Sequence, residues 1–497
     1  MPPPRRLLLD CTRTALHGGH TGVQRVVREL VAELCGGRFD PLPEPDETAT
    51  AGLAALDNAH GFDEVVPVAW DGRHYRKLSG RGSPTLADVL PQKPRGWVQR
   101  LRHARRRVHR LRRLGDPTST DAFTPGSNAG PKPQASGHAD APAPPMLSPA
   151  AERLVGLVFA WRRKVRPAAT DTLLLLDPSW NSASVLPHAR ACRARVGLLL
   201  HDLIPLTHPE TCAAGIPRQF RRFLAAGLAA SDFVVTVSQA TADTLRTLHQ
   251  RDPHLLLDPD SPSPASPAAA VAAPALPPVR TFPLGVDLHL GSAAVEEPTD
   301  FLGHTRLREV MAGSPVLLAV GTIEPRKNHG LLLDAFELLW DRFDRAGPGT
   351  PGLGPVRLLL VGKPGWSSPE LMDRINRHPE RGRRLFAMHY LDDAGLRYAY
   401  RYAAATVSAA AAEGFGLPLL EARAFGCPVI ASDIPAHREA AGPEARLFPL
   451  HPEPPLTAAQ ALADAVINTL ATPPSLTQPH RLPTWTDAAA GLLKASA

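Results

Sequence analysis

The sequence predicts an α/β protein of two doubly wound, Rossmann-like domains facing each other across a cleft. Three observations predict it. A chain of 497 residues exceeds what one ordinary core accommodates. Short apolar runs, each followed by a helical stretch, recur along it as parallel sheets require. That series then starts again near Val316. Ligands of such folds sit at the carboxyl ends of the strands, so chemistry is expected in the residues just after each one.

In the first half, strands are expected at Arg6 to Asp10, Thr172 to Asp177, Val196 to His201 and Phe233 to Val237. In the second they are expected at Val316 to Gly321, Val356 to Val361, Leu385 to Met388, Thr406 to Ala409 and Val429 to Ser432. The domains are read as 1–287 and 288–475, with a last helix in 476–497 packing back toward the first. The 54 prolines demand long irregular connections. Asp116 to Pro149 and Asp258 to Pro278, rich in Pro, Ala, Ser and other small residues without a period, read as disordered or surface insertions.

The net charge of +7 is unevenly spread, because Lys93 to Arg113 holds ten Lys or Arg residues and no acid. Within it Trp97, Leu101, Ala104, Val108 and Leu111 recur at helical steps, giving a basic amphipathic helix. Three readings stay open: a helix packed on the protein body, a contact with an anionic membrane, and the weakest, nucleic acid. Cys11, Cys35, Cys192, Cys212 and Cys427 show no repeated spacing, so neither a zinc cage nor a disulfide framework is indicated and a reducing cytosol is expected. The apolar run Leu7 to Leu9 is too short for a signal peptide, and no stretch approaches the length of a membrane span.

The most informative segment is Glu413-Gly414-Phe415-Gly416-Leu417-Pro418-Leu419-Leu420-Glu421. Gly414 and Gly416 let backbone N–H groups approach a bound group, and Pro418 suits a helix starting at about Leu417. A helix N-terminus favours phosphate, whereas the two carboxylates would accept hydrogen bonds from sugar hydroxyls. The loop therefore reads as a nucleotide-sugar site.

Gly321-Thr322-Ile323-Glu324-Pro325-Arg326-Lys327-Asn328-His329 follows a buried strand, with Asn328 placed to cap the next helix. Two adjacent cations at a helix start oppose its dipole unless an anion sits between them, which makes Arg326 and Lys327 pyrophosphate candidates, a solvated basic loop being the alternative. His201-Asp202 ends another strand; the histidine can bond a sugar hydroxyl or a backbone carbonyl, and Asp202 can orient it or cap the next turn. Gly18-Gly19-His20-Thr21-Gly22, placed between the first strand and a helix, reads either as an approach loop or as a close-packing turn. Gly362-Lys363-Pro364-Gly365-Trp366 could lie under a nucleobase or form a tight turn. No acid cluster suits a divalent ion, and nucleophile elbow, Walker and HxxxH patterns are missing.

Together, GTIEPRKNHGLLLDAF, LLLVGKPGW, EGFGLPLLEARAFGCPVIASDIPAHRE and the late Trp485 to Ala489 segment resemble, in order, the retaining glycosyltransferases of family 4, of GT-B type. TGVQRVVREL and HDLIPLTHPE are similar to the subgroup that builds bacterial surface polysaccharides, often mannosyltransferases using GDP-mannose. The resemblance implies that Glu421 binds the donor ribose and that Glu413 supports the sugar. Gly414, Phe415, Gly416 and Leu417, with Gly321 and Thr322, would line the donor. Arg326 and Lys327 would neutralise the leaving diphosphate, His201 would touch the transferring sugar, and Gly19 and Gly22 would line the reaction centre. It implies no cofactor and no metal, a lipid-linked glycan acceptor on the side of the first domain, and a cytoplasmic enzyme. The insertion 93–149 matches no family element, and its run of ten cations prompts the separate hypothesis that 93–115 holds the enzyme at the inner membrane face. The alternatives are a UDP-glucose-type donor or a nucleotide-sugar-binding protein without turnover. A Rossmann oxidoreductase is disfavoured, since no GxGxxG opens a strand and helix unit.

Overall fold

The computed structural model describes residues 5–17, 22–35, 61–71, 73–78, 162–177, 180, 184–260, 275–286, 302–346, 355–366, 369–454, 456–473 and 482–497. They divide into two compact units, Met1–Leu284 with Trp485–Ala497, and Gly285–Thr484.

The first unit is built on eight strands: β1 (Arg6–Asp10), β2 (Glu64–Trp70), β3 (Tyr75–Lys77), β4 (Lys164–Val165), β5 (Thr172–Leu175), β6 (Arg195–Leu200), β7 (Phe233–Thr236) and β8 (Val279–Thr281). Their order is β4-β3-β2-β1-β5-β6-β7-β8. Leu7, Leu8 and Leu9 of β1 have no exposed surface, because parallel pairing with β2 and β5 leaves both faces to be covered by helices. β3 and β4 add an antiparallel edge. The chain first steps from β1 to β2 on one side and later resumes at β5 on the other, so the strand order reverses beside β1. The helix Trp485–Ser496 packs against the helix Gly22–Cys35 and strands β7 and β8, with Arg280 donating to Ala495 O at 2.8 Å.

The second unit has six parallel strands: β9 (Val316–Val320), β10 (Arg357–Val361), β11 (Leu385–Met388), β12 (Ala405–Ser408), β13 (Val429–Ser432) and β14 (Arg446–Phe448). Their order β11-β10-β9-β12-β13-β14 puts the reversal between β9 and β12. The helix His329–Ala346 covers this sheet with Leu332, Leu333, Phe336 and Trp340, and the Trp340 indole donates to Val356 O at 2.9 Å. Each such buried side chain contributes about 1.5–3 kcal/mol.

The α/β, two-unit expectation holds, and every expected strand exists to within one or two residues. Five strands had no expectation. β2 carries Pro67, which argues against an internal strand, while β3, β4, β8 and β14 are too short to show a period. β1 is followed directly by the helix Thr12–His17, not by the glycines, because the Asp10 carboxylate takes the Thr12 N–H and hydroxyl and turns the chain at once. Part of the expected 258–278 loop is structured. Asp258 to Asp260 is described, Asp260 pairs with Arg218 and Arg222, and Leu276 packs on the core. The basic helix of Lys93 to Arg113 and Asp116 to Pro149 lie outside the described residues.

Candidate functional site

Strand order explains why residues about 86 positions apart meet in the second unit. β9 and β12 are neighbours, so the loops leaving their carboxyl ends flank the sheet's reversal point. The β9 loop turns through Pro325–Lys327 and ends at Asn328, whose backbone is left-handed at φ 55°. Asn328 does not cap the following helix in the usual extended conformation; its carbonyl accepts the Leu332 N–H. The β12 loop delivers Glu413.

Arg326 Nη1 lies 2.6 Å from Glu413 Oε2, Lys327 Nζ pairs with Glu413 Oε1, and Arg326 Nη2 lies 2.6 Å from Glu324 Oε1. The backbones are joined as well, Ala411 N donating to Arg326 O at 2.8 Å. Burial pushes the Glu413 carboxyl up, but Lys327 and Arg326 outweigh it and hold the group at about 2. The anion that the two cations demand is therefore supplied by the protein, as Glu413 and Glu324. Two acids and two bases balance here, and the charge argument for phosphate no longer stands on misfit alone.

Close backbone approach locks the floor of the site. A Cβ on Gly362 would fall 1.9 Å from Gly321 O, and one on Gly365 2.8 Å from Thr322 Cγ2, so the loops after β9 and β10 meet only as glycines. Ile323 N donates to Lys363 O and Gly365 N to Ile323 O, both at 2.9 Å, which explains Gly362 to Gly365 as a packed turn. The stem of Lys327 lies over Gly321, 3.3 Å from where a Cβ would stand.

Gly416 adopts φ 102° and ends the loop at the start of the helix Leu417–Ala424, where Pro418 sits in the first turn. Phe415 is buried. Glu421, one turn into the helix, is buried and accepts a hydrogen bond from the Tyr400 hydroxyl at 2.8 Å. Beneath the loop, His437 is fully buried between Ser408 at the end of β12 and Ser432 at the end of β13. Glu324, Tyr400 and His437 were missed by sequence reasoning. Glu324 stands inside the motif beside Arg326 and was the one within reach; the other two are single polar residues on helices, with no local signal.

The first unit has its own cluster at the reversal beside β1. Asp177 N donates to Asp10 O at 2.8 Å, and the Thr14 hydroxyl donates to Asp177 at 2.6 Å. Burial raises the Asp10 carboxyl to about 6, the Thr12 bonds notwithstanding. His201 Nε2 lies 3.2 Å from Leu176 O, so it donates there and leaves Nδ1 the acceptor of a neutral ring. Burial lowers this imidazole against the pull of Asp177, the Leu176 bond and Asp202. Asp202 caps the next turn, accepting from Ile204 N at 3.1 Å. Gly22 opens the helix Gly22–Cys35 with no neighbouring atom where a Cβ would stand, whereas Gly19 lies outside the described residues.

Residues 308–481 match the family Glycosyl transferases group 1. This part of the chain is a glycosyl transferases group 1 domain. Among curated relatives, the chain is 32% identical over 280 residues to a serotype-specific mannosyltransferase WbdA of Escherichia coli, covering 56% of this chain and 31% of that one. It is 35% identical over 125 residues to an O-antigen chain mannosyltransferase B of Escherichia coli, covering 25% and 30%. It is 33% identical over 193 residues to a phosphatidyl-myo-inositol mannosyltransferase of Mycobacterium tuberculosis strain CDC 1551 / Oshkosh, covering 36% and 46%. The chain thus spans less than half the length of each of these relatives.

The group 1 domain contains Gly321, Thr322, Arg326, Lys327, Gly414 to Leu417 and both glutamates, and the structure gathers them around one reversal point. His201, Gly19 and Gly22 precede it. Among the described residues no group of three His, Cys, Asp or Glu side chains could hold a metal ion, and no helix is long and apolar enough to cross a membrane.

Proposed function

We propose that the chain is a retaining, metal-independent glycosyltransferase that moves a hexose, mannose from GDP-mannose, to a lipid-linked glycan acceptor. One observation carries this reading: Glu413 held between Arg326 and Lys327 at the β9/β12 reversal, with Glu421 one turn further into the helix. A guanidinium carries five N–H donors and an ammonium three, so both cations can hold Glu413 and the donor's phosphate oxygens together. As the sugar–diphosphate bond breaks, negative charge grows on the leaving oxygens. Arg326 and Lys327, already fixed by Glu413 and Glu324, stabilise it without reorganising. Glu413, kept ionised far below neutral pH, accepts sugar hydroxyls through its remaining lone pairs and favours an oxocarbenium-like sugar. Glu421, oriented by Tyr400, takes the ribose hydroxyls. The names of the relatives support mannose as the sugar. On this reading His201 faces the transferring sugar, and 93–115 holds the enzyme at an anionic inner leaflet, a role that disappears if deleting 93–115 leaves liposome sedimentation unchanged.

The test is thermal protection by a panel of nucleotide sugars, followed by turnover. GDP-mannose should raise Tm most, with Arg326→Ala reducing the shift and EDTA leaving it unchanged. Glu421→Ala should fold normally and lose transfer. Protection by no nucleotide sugar would sink the proposal, and protection by UDP-glucose alone would change the donor.

A further inference from the structure

His437 belongs to no role assigned above, yet its polar side chain is fully enclosed near the donor loop. Its ring has no exposed surface, and a Cβ on Gly416 would lie 3.4 Å from its Cδ2. Nδ1 is 2.9 Å from Ser432 O and 3.0 Å from Ser432 Oγ, and Nε2 is 3.4 Å from Ser408 Oγ. Ser432 Oγ in turn lies 2.5 Å from Ala410 O.

One proton assignment satisfies every contact. A carbonyl only accepts, so Nδ1 carries the proton and shares it between Ser432 O and Ser432 Oγ, while the Ser432 hydroxyl donates to Ala410 O. Nε2 then accepts from the Ser408 hydroxyl. Ala410 is thereby pinned from below, and the next residue is pinned from the side through Ala411 N to Arg326 O at 2.8 Å. Two residues later comes Glu413. The path runs His437, Ser432, Ala410, Glu413, and from Glu413 to both cations.

We infer that His437 is a positioning residue: with Ser408 and Ser432 it ties the ends of β12 and β13 and sets the height of the backbone that carries Glu413 and Gly416 under the donor diphosphate. It touches no substrate. A hydrophobic ring of equal size would fill the space but would release Ser432 and, through it, the Ala410 carbonyl. This inference rests on the donor-site reading of the β9/β12 reversal.

The experiment measures GDP and UDP dissociation constants by calorimetry on the full chain, with Tm of the free protein recorded in parallel. Four proteins are compared: the unaltered chain, His437→Ala, His437→Asn and Ser432→Ala. The Asn amide places an N–H near the Nδ1 position and should rescue. His437→Ala and Ser432→Ala should each weaken nucleotide binding about tenfold, the size of one lost buried hydrogen bond, with His437→Asn near the unaltered chain. If both weakened variants bind as tightly as the unaltered chain, the inference is overturned. It is equally overturned if Asn fails to rescue and losses in binding merely follow losses in Tm. Should His437→Ala not fold, Ser432→Ala decides. If the unaltered chain binds neither nucleotide, the donor-site reading falls, and this inference falls with it.

Discussion

Asp10 in the first unit and Glu413 in the second stand on comparable ground: Asp10 is a fully buried carboxylate ending β1, and Glu413, its side chain 9% exposed, lies in the loop after β12, each beside its sheet's reversal point. Their chemistry is opposite. Asp10 has hydroxyl and amide donors from Thr12, the Tyr75 hydroxyl at 3.5 Å and the like charge of Asp177 nearby, and burial raises it to about 6. Glu413 has Lys327 and Arg326, and they bring it to about 2 in spite of burial. Burial alone therefore does not decide the state of a buried acid; a cation at bonding distance reverses its sign. The second unit can keep a permanent charge at its reversal point, while the first keeps an acid that titrates near neutrality.

The strongest break in this comparison is Glu413→Ala. Removing the shared anion leaves Arg326 and Lys327 against one another and should cost the second unit about 3 kcal/mol, read by urea unfolding at pH 7. Adding Lys327→Met should return part of the loss, since the stranded charge goes with it. The pH dependence follows from the lowered pKa. Between 4.5 and 2 the unfolded chain binds the proton that the folded site refuses, so the stabilisation is complete above about 4.5 and lost toward 2. Glu413→Ala should flatten that limb, and an unchanged urea midpoint would end the argument.

Asp10→Asn should act in the other direction and more weakly. Between 3.8 and about 6 the folded state holds a proton that the unfolded chain has released, so stability falls as pH rises through that window. The amide removes the loss, and the variant should gain roughly 2–3 kcal/mol above pH 6 while matching the unaltered chain below pH 4. Hydrogen exchange at β1 measures it unit by unit. A gain that is the same at pH 3.5 and pH 7 would show that ionisation is not its cause.

Tyr400→Phe is the smallest and sharpens the account of Glu421. Losing one hydrogen bond to a buried carboxylate should cost about 1 kcal/mol with the fold intact. On the proposed function it should also raise KM for the donor more than it lowers kcat. A fall in kcat alone would move Glu421 from the ribose toward the reacting bond.

Local features of the site were legible in the sequence. Gly416 and Pro418 announce the helix at Leu417, and glycines after β9 and β10 announce close backbone approach, because turn geometry depends on neighbours a few residues away. What went unread is of another kind. Arg326 and Lys327 looked like cations awaiting an outside anion, since Glu413 is far along the chain and only the pairing of β9 with β12 brings it within bonding distance. The strand β2 was hidden by Pro67, which lacks an N–H yet still joins the sheet by accepting the Leu78 N–H at its carbonyl. His437 and Tyr400 carry no pattern at all; their roles exist only where two strand ends or two helices converge.

The sequence by itself determined the two restarting strand and helix series, the glycine turns and the helix that begins at Leu417. Only the tertiary structure decided which charges neutralise which, that Asn328 is left-handed rather than an extended cap, and that a buried histidine packs against Gly416. The physical reason is range. Backbone conformation is set by steric contacts between near neighbours in the chain, whereas a charge or hydrogen bond depends on distance through space, and that distance is fixed by strand order.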